Sequence, residues 1–330
     1  MSLPQLLRDN LRLPVIGAPM FIVSNPDLVI EQCKAGVVGA FPALNARPEP
    51  VLEEWLQRIT TDLESYRKAH PLKRIAPFAV NQIVHPTNPR LKHDIDLAVK
   101  YKVPIQITSL HAPEQVVEAA HGYGGLVFHD VISIKHAKRA LKAGVDGLIL
   151  VCHGAGGHAG QLSPFAFVQE VREFYDGTII LSGSIARGDA VLATQALGAD
   201  LAYIGTRFIA TSEAQAVPEY KQMLVEGTAE DIVYTNLFSG VHGNYLKASV
   251  KRIGYDPDNL PIGDKATMNF GSGGNQKAKA WVDIWSAGQG VGQIRDVLPA
   301  CEVVDRLERE YQAAVERVGL TTEPRLARSA

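Results

Sequence analysis

Cysteine, net charge and long apolar runs are all scarce in this sequence. Its 330 residues include three cysteines, and the formal net charge is -2. Cys33, Cys152 and Cys301 cannot all pair with one another and lack the spacing of metal ligands, which is typical of reduced thiols in a cytosolic protein that binds no metal. A net charge near zero argues against a nucleic acid or a membrane surface as the partner.

No apolar run is long enough to span a bilayer, and the N-terminal stretch "MSLPQLLRDNLRLPV" is interrupted by Arg8, Asp9 and Arg12 before a signal-like core can form. These absences favour a cytoplasmic protein that acts on a small molecule. With 46% hydrophobic and 21% charged residues, the chain can bury a large core. Its length suits either one elaborated α/β barrel or two smaller domains.

Short apolar runs recur along the first two-thirds of the chain. Each run is apolar at consecutive rather than alternate positions, which is typical of parallel strands that are covered on both faces. The eight runs are "PVIGAPM" from Pro14, "GVVGAFP" from Gly36, "IAPFAVN" from Ile75, "VPIQITS" from Val103, "GLVFHDV" from Gly125, "GLILVCH" from Gly147, "TIILSGS" from Thr178 and "LAYIGTR" from Leu201.

The segments between these runs have helical spacing, as in "VLEEWLQRITTDLESYRKA" and "IKHAKRALKAG". Alternation of eight strands with helices predicts an α/β protein built on a closed (β/α)8 TIM barrel, whose active site lies at the C-terminal ends of the strands. An open doubly wound sheet is the alternative, but no GxGxxG sequence follows the first strand.

The pattern changes after Arg207, where Gly, Asn, Pro and aromatic residues become frequent. We expect residues 223–290 to form a small lid-like subdomain over the barrel mouth, with residues 1–222 and 291–330 forming the barrel. Tyr245, Phe270 and Trp285 of this subdomain are expected to exclude water from the site and to limit substrate size.

Two adjacent predicted strands, the seventh and the eighth, both end in a glycine next to a hydroxyl side chain. In barrels these two loops commonly bind phosphate, because backbone N–H groups and a helix N-terminus face the anion there. Ordinary turns are the alternative, but the pair of loops favours a phosphate-bearing cofactor or substrate. The residues expected at the strand ends are Ala18, Met20, Asn81, Gln82, Gln106, Thr108, His129, Asp130, the loop 153–158 with Gly156 and Gly157, Gly183, Ser184, Gly205 and Thr206.

The loop "VCHGAGGHAG", residues 151–160, follows the sixth strand and carries two histidines among four glycines. His158 lies beyond the glycines, where its imidazole could serve as an acid, a base or a hydrogen-bond donor near neutral pH. A solvated loop histidine is the alternative. His153 is closer to the strand and is expected to be structural, and Cys152 is expected to be an inert core thiol.

An ordered set of motifs resembles the nitronate monooxygenases, formerly called 2-nitropropane dioxygenases. The motifs are "GAPM", "AVN", "GAGGHAG", "SGSI", "GTRF" and "WSAGQG", and they extend from about Pro14 to Gly292. The resemblance implies an FMN-containing barrel flavoprotein that oxidises alkyl nitronates with O₂, with a carbonyl compound and nitrite as products. It also implies that His158 is catalytic. By the same resemblance, FMN contacts fall on Met20, Asn81, Gly156, Gly183, Ser184, Gly205 and Thr206. We expect Ala18, Gln106 and Gly157, at the neighbouring strand ends, to contact the cofactor as well.

Three positions depart from the family pattern. Ser184 stands where many members have a second glycine, Val151 where many have a polar residue, and Asp130 where some have a lysine. The same loop also resembles FMN-dependent enoyl-acyl carrier protein reductases and NAD(P)H:quinone reductases. A cofactor-free barrel enzyme for a sugar phosphate is a further alternative. The sequence leaves open the physiological substrate, including whether neutral nitroalkanes react, the use of NADH or NADPH, and the oligomeric state.

Overall fold

The computed structural model describes residues 3–263 and 282–319. Its first nine strands include all eight predicted ones, and the two-residue strand β7 is the additional one. The strands are β1 (Val15–Gly17), β2 (Gly39–Pro42), β3 (Phe78–Val84), β4 (Ile105–Leu110), β5 (Leu126–Val131), β6 (Gly147–Val151), β7 (Gly157–His158), β8 (Thr178–Ser182) and β9 (Leu201–Ile204).

All eight predicted strands are parallel and form one sheet in the order β1-β9-β8-β6-β5-β4-β3-β2. A parallel bridge between Ile16 and Val38 links the two ends of this sheet, so the strands close into a barrel. Because the side chains of a strand alternate between its faces, each strand contributes to two cores. Ile105 and Ile107 of β4 pack inside the barrel with Phe128 and Ile149. The predicted (β/α)8 TIM barrel is confirmed.

Each connection between consecutive barrel strands contains a helix, and further helices precede β1 and follow β9. They are α1 (Gln5–Asn10), α2 (Pro26–Ala35), α3 (Val51–Ala69), α4 (Leu91–Lys100), α5 (Glu114–His121), α6 (Ile134–Lys142), α7 (Pro164–Arg172), α8 (Gly188–Ala196), α9 (Thr206–Ile209), α10 (Pro218–Glu226), α11 (Lys247–Arg252) and α12 (Ala300–Gly319). Among the described residues, no helix combines the length and the apolar character needed to cross a membrane.

Local signals in the sequence set the ends of α2. The Asn25 side chain accepts a hydrogen bond from the backbone N–H of Leu28 at 2.9 Å, and Pro26 occupies the first helical position. The helix stops at Gly36, whose φ of +92° suits glycine. Gly36 therefore ends a helix, and β2 begins three residues later than the apolar run that predicted it.

A small three-stranded sheet lies outside the barrel. Its strands are β10 (Ile232–Thr235) and β11 (Gly243–Leu246), which pair antiparallel with each other, and β7, which pairs with β11. Gly243 is opposite His158 and Asn244 is opposite Gly157. The loop after β6 is thus held by a hairpin that lies about 80 residues further along the chain.

The division of the chain into a barrel (residues 1–222 and 291–330) and a lid-like subdomain (residues 223–290) remains a proposal. Helix α10 runs through the expected boundary at residues 222 and 223, so that boundary falls inside one helix. Residues 264–281, including Phe270, lie outside the described part. The last helix, α12, packs on α8, where Glu310 accepts a hydrogen bond from the backbone N–H of Gly188 at 2.9 Å.

Candidate functional site

A cavity of about 1020 Å³ opens at the C-terminal ends of the barrel strands. Parallel strands of a barrel bring their carboxyl ends to one rim, so residues that are distant in sequence meet there. All of the predicted cofactor residues except Gln106 line this cavity together with His158. They are Ala18, Met20, Asn81, Gly156, Gly157, Gly183, Ser184, Gly205 and Thr206.

The structure contradicts the placement of Gln106 in the site. Its side chain is buried outside the barrel, where it accepts a hydrogen bond from Gln82 at 3.3 Å and donates one to the Tyr123 hydroxyl at 3.2 Å. Gln106 and Thr108 of β4 face the helices, whereas Ile107 and Ser109 face the interior. Ser109 and Leu110, at the end of β4, are the residues of this strand that line the cavity.

The turn after β8 has an unusual backbone. Gly183 has a φ of +134°, and Ser184, although it is not glycine, has a φ of +58°. A Cβ atom on Gly183 would lie 2.9 Å from the carbonyl oxygen of His153, so both conformation and packing require glycine there. The N–H of Ser184 donates to the carbonyl of Gly154 at 3.3 Å, which ties this turn to the loop after β6.

Gly205, at the end of β9, differs from Gly183. Its φ is -103°, which any residue can adopt, and a Cβ atom there would meet nothing closer than the Cβ of Ala18 at 3.5 Å. Neither the backbone nor the packing therefore requires glycine at this position. The missing side chain leaves free space in the cavity beside the Thr206 hydroxyl, which is the kind of space that a ligand phosphate needs.

The late "WSAGQG" segment, residues 285–290, closes against the glycine loop. The backbone N–H of Gly288 donates to the Thr206 hydroxyl at 2.9 Å, and the N–H of Gln289 donates to the carbonyl of Gly154 at 2.9 Å. A Cβ atom on Gly156 would lie 2.9 Å from the Gly288 nitrogen. Gly156 is therefore needed for close backbone packing, and the Thr206 hydroxyl still has its own proton to donate to an anion.

His158 is half-buried in the cavity wall. Its Nε2 lies 2.8 Å from the Ser239 hydroxyl oxygen, in the connection between β10 and β11. Burial lowers the pKa of His158 to about 4, so the imidazole is neutral at pH 7. The alternative of a solvated loop histidine does not fit this environment. A neutral imidazole beside a cavity can accept a proton or donate a hydrogen bond.

Cys152 and His153, which precede the first glycine of the loop, lie in different environments. Cys152 is fully buried, and burial raises the pKa of its thiol to about 12, as expected of an inert core residue. His153 has an exposed side chain, and it is its backbone N–H that makes a contact, with the carbonyl of Leu162 at 2.9 Å. The expected structural role of the His153 imidazole is therefore wrong.

A polar chain on the cavity wall was not predicted as a unit. Asn81 donates to the Ser109 hydroxyl at 2.9 Å, and Ser109 donates to Oδ2 of Asp130 at 2.7 Å. Burial raises the pKa of Asp130 from its ordinary value of 3.8 to about 6. Among the described residues, neither Oδ1 of Asp130 nor the Tyr203 hydroxyl has a hydrogen-bond partner.

Comparison with known proteins agrees with this geometry. A family model described as nitronate monooxygenase matches residues 6–310. Nitronate monooxygenases of Neurospora crassa and Paraburkholderia phytofirmans are each 26% identical to the chain, covering 92% of it and 90% and 94% of the two relatives.

Two solved structures support the fold. Nitroalkane oxidase from Streptomyces ansochromogenes has a TM-score of 0.77 at 22% identity and covers 95% of this chain and 100% of its own. FabK from Thermotoga maritima has a TM-score of 0.76 at 22% identity and covers 96% of this chain and 97% of its own. From the match over residues 6–310, we conclude that the chain belongs to the nitronate monooxygenase family, a family of flavin-dependent oxidoreductases.

Proposed function

We propose that the cavity binds FMN and that the enzyme oxidises alkyl nitronates with O₂ to carbonyl compounds and nitrite. The observation that carries this proposal is the meeting of the two glycine-hydroxyl strand ends and His158 in one cavity. Cavities for a single drug-sized ligand measure roughly 300–1,000 Å³. The volume of about 1020 Å³ therefore suits a cofactor together with a small substrate.

The residues at the ends of β8 and β9 fit the phosphate of FMN. Ser184 and Thr206 supply hydroxyl donors, Gly183 allows the backbone conformation of the turn that carries Ser184, and Gly205 leaves open space beside Thr206. Ala18, Met20, Asn81, Gly156 and Gly157 then remain for the rest of the cofactor, on the neighbouring parts of the cavity wall. When bound there, FMN would supply the electron-transfer chemistry between the nitronate and O₂.

The protein contributes substrate orientation, proton control and exclusion of water. His158, neutral at pH 7, donates a hydrogen bond to an anionic nitronate or removes the α-proton of a neutral nitroalkane. Trp285 lines the cavity, and the fully buried Tyr245 packs edge-on against the cavity residue Phe238 with ring centroids 5.1 Å apart. These aromatic residues limit the space for substrate beside the cofactor. We place the enzyme in the cytoplasm, where the buried free thiols Cys33 and Cys152 stay reduced.

The cofactor assignment is tested by extraction and by a matched pair of variants at Gly205. The wild-type protein is expected to be yellow and to release FMN, identified by mass, on denaturation. Because a Cβ atom fits at Gly205, both Gly205→Asp and Gly205→Asn are expected to fold. The carboxylate of Gly205→Asp repels the phosphate, and like charges repel strongly in a partly dry site.

We therefore expect a colourless Gly205→Asp protein and an FMN content in Gly205→Asn closer to that of wild type. Circular dichroism checks that both variants are folded. Equal FMN content in the two variants and in the wild type would contradict the phosphate assignment, and a different extracted cofactor would contradict the choice of FMN.

A further inference from the structure

Three apolar side chains line the cavity beyond the polar chain on its wall. They are Ile83 of β3, Leu110 of β4 and Ile132, which follows β5, and we call them the apolar strip. The three strands are neighbours in the barrel, so the three side chains lie next to one another at the rim. Ile83 lies two residues beyond the inward Asn81, on the same face of its strand. Ile132 lies two residues beyond Asp130, which also lines the cavity.

Leu110 reaches the cavity through a break in strand alternation. Because Ser109 already faces inward, a regular strand would turn the next side chain toward the helices. Leu110 instead has a φ of +82°, in the left-handed region, and its side chain lines the cavity. Residues other than glycine are strained in this region, and such strained residues cluster at binding sites. The strain at Leu110 places an apolar side chain where a regular strand would place none.

The apolar strip is open to the cavity. Leu110 is 39% exposed and Ile132 is 41% exposed, although both lie in a cavity wall. A Cβ atom on Gly160 would lie 3.1 Å from the Cβ of Ile132, so Ile132 packs on the backbone of the loop that carries His158. Covering exposed apolar surface with an apolar ligand group removes it from water, which favours binding. The strip therefore suits an alkyl group of a ligand that reacts beside this loop.

The width of the apolar strip sets the length of chain that it can hold. Neighbouring strands lie about 4.8 Å apart, so the ends of β3 and β5 are separated by ~10 Å. This distance is close to the length of an extended octyl chain. We propose that the apolar strip binds the alkyl chain of the substrate, and that the enzyme therefore prefers primary nitronates with chains up to octyl length. The nitronate head group in this statement rests on the proposed function.

The expected gain follows from the burial of methylene groups. A fully buried methylene raises affinity roughly fourfold. The strip covers a chain from one side, so we expect about a twofold gain per methylene, or roughly fifteenfold from butyl to octyl. Chains longer than octyl extend past the strip into solvent and should gain no more.

Binding of linear carboxylates to the purified holoprotein tests the strip without turnover. Butanoate, hexanoate, octanoate and decanoate carry a planar two-oxygen anion like that of a nitronate, but they lack the nitrogen that is released as nitrite. Isothermal titration calorimetry is expected to show a dissociation constant that falls about twofold per methylene up to octanoate and then stays level. The heat-capacity change of binding should become more negative along the same series, because more apolar surface is buried.

A pair of matched variants locates the chain. Leu110→Asn removes the apolar side chain but suits the backbone, because asparagine adopts the left-handed conformation more readily than leucine. It is expected to fold, to keep FMN and to reduce the gain from butanoate to octanoate to under about fourfold. Leu162→Asn is the control and should keep the wild-type gain, because Leu162 is similarly exposed, at 37%, but lies outside the described lining of the cavity.

The outcomes separate the apolar strip from the proposed reaction. Equal affinity of the wild type for butanoate and octanoate, or a wild-type gain in Leu110→Asn, overturns the proposal. Loss of FMN from Leu110→Asn with an unchanged gain overturns it as well, because the cofactor would then cover the strip. The wild-type series does not depend on the folding of any variant. A gain with carboxylates in a protein that fails to oxidise nitronates would refute the proposed reaction and leave the apolar strip in place.

Discussion

Replacing Asp130 by asparagine is expected to stabilise the folded protein at neutral pH. Asp130 is half-buried in the cavity wall, and its main stabilising contact is the hydrogen bond from Ser109 at 2.7 Å. Burial raises the pKa of its carboxyl from 3.8 to about 6, so the folded state holds the proton more tightly than the unfolded state. The amide oxygen of the Asp130→Asn variant would still accept the hydrogen bond from Ser109, without a charge in the cavity.

The size of the effect follows from the pKa. Each pKa unit corresponds to ~1.4 kcal/mol, so a rise from 3.8 to about 6 costs the ionised wild type about 3 kcal/mol of folding free energy. This cost is small near pH 4, where the folded protein carries Asp130 protonated. It grows as the pH rises toward 6 and is nearly complete at pH 7. The gain from Asp130→Asn should therefore increase from under ~1 kcal/mol at pH 4 to about 3 kcal/mol at pH 7.

Urea unfolding of the flavin-free proteins at pH 4 and pH 7 measures this difference. Asp96→Asn, at an exposed side chain, is the matched control and should change the free energy of unfolding by less than about 0.5 kcal/mol at both pH values. Ser109→Ala should destabilise the wild type at pH 7, because it removes the donor to the Asp130 carboxylate. An Asp130→Asn protein that is no more stable than wild type at pH 7, or equally stabilised at both pH values, would refute the reasoning.

Two further predictions concern the glycine loop. His158→Asn should keep its FMN and should lose roughly 10²–10⁴ in rate with neutral nitroalkanes and less with preformed nitronates. The control, His153→Asn at an exposed side chain, should keep a rate near that of the wild type with both substrates. Equal small effects of His158→Asn on the two substrates would contradict a role for His158 as the base. Cys152→Ala should stay within a few-fold of wild-type turnover, because the buried thiol has a pKa of about 12, and complete loss of activity with bound FMN would contradict its inert role.

The sequence predicts the barrel well because each strand is covered on both faces and so appears as a continuous apolar run. The ends of these runs are less informative. The second run starts at Gly36, which is apolar in pattern but ends helix α2 with a φ of +92°. The error at Gln106 has a similar origin, because a fully covered strand shows no alternation from which the inward face could be read. Ser109 was missed for the same reason.

The small sheet could not be predicted from local patterns. Strand β7 has two residues, Gly157 and His158, and it exists only because β11 pairs with it. Ser239 lies 81 residues from His158 in sequence, and no periodicity connects the two. The motifs identify the histidine, but the tertiary pairing determines which of its nitrogens faces Ser239.

Anaerobic mixing of the purified enzyme with one reductant at a time tests the central claim most directly. Propyl nitronate, NADH and NADPH are added separately, and the visible absorbance of the flavin is followed. The proposed function predicts that propyl nitronate bleaches the flavin, that NADH and NADPH do not, and that O₂ restores the colour with release of nitrite. Bleaching by NADH or NADPH with no response to propyl nitronate would contradict it and would assign the cavity to a nicotinamide-dependent reductase.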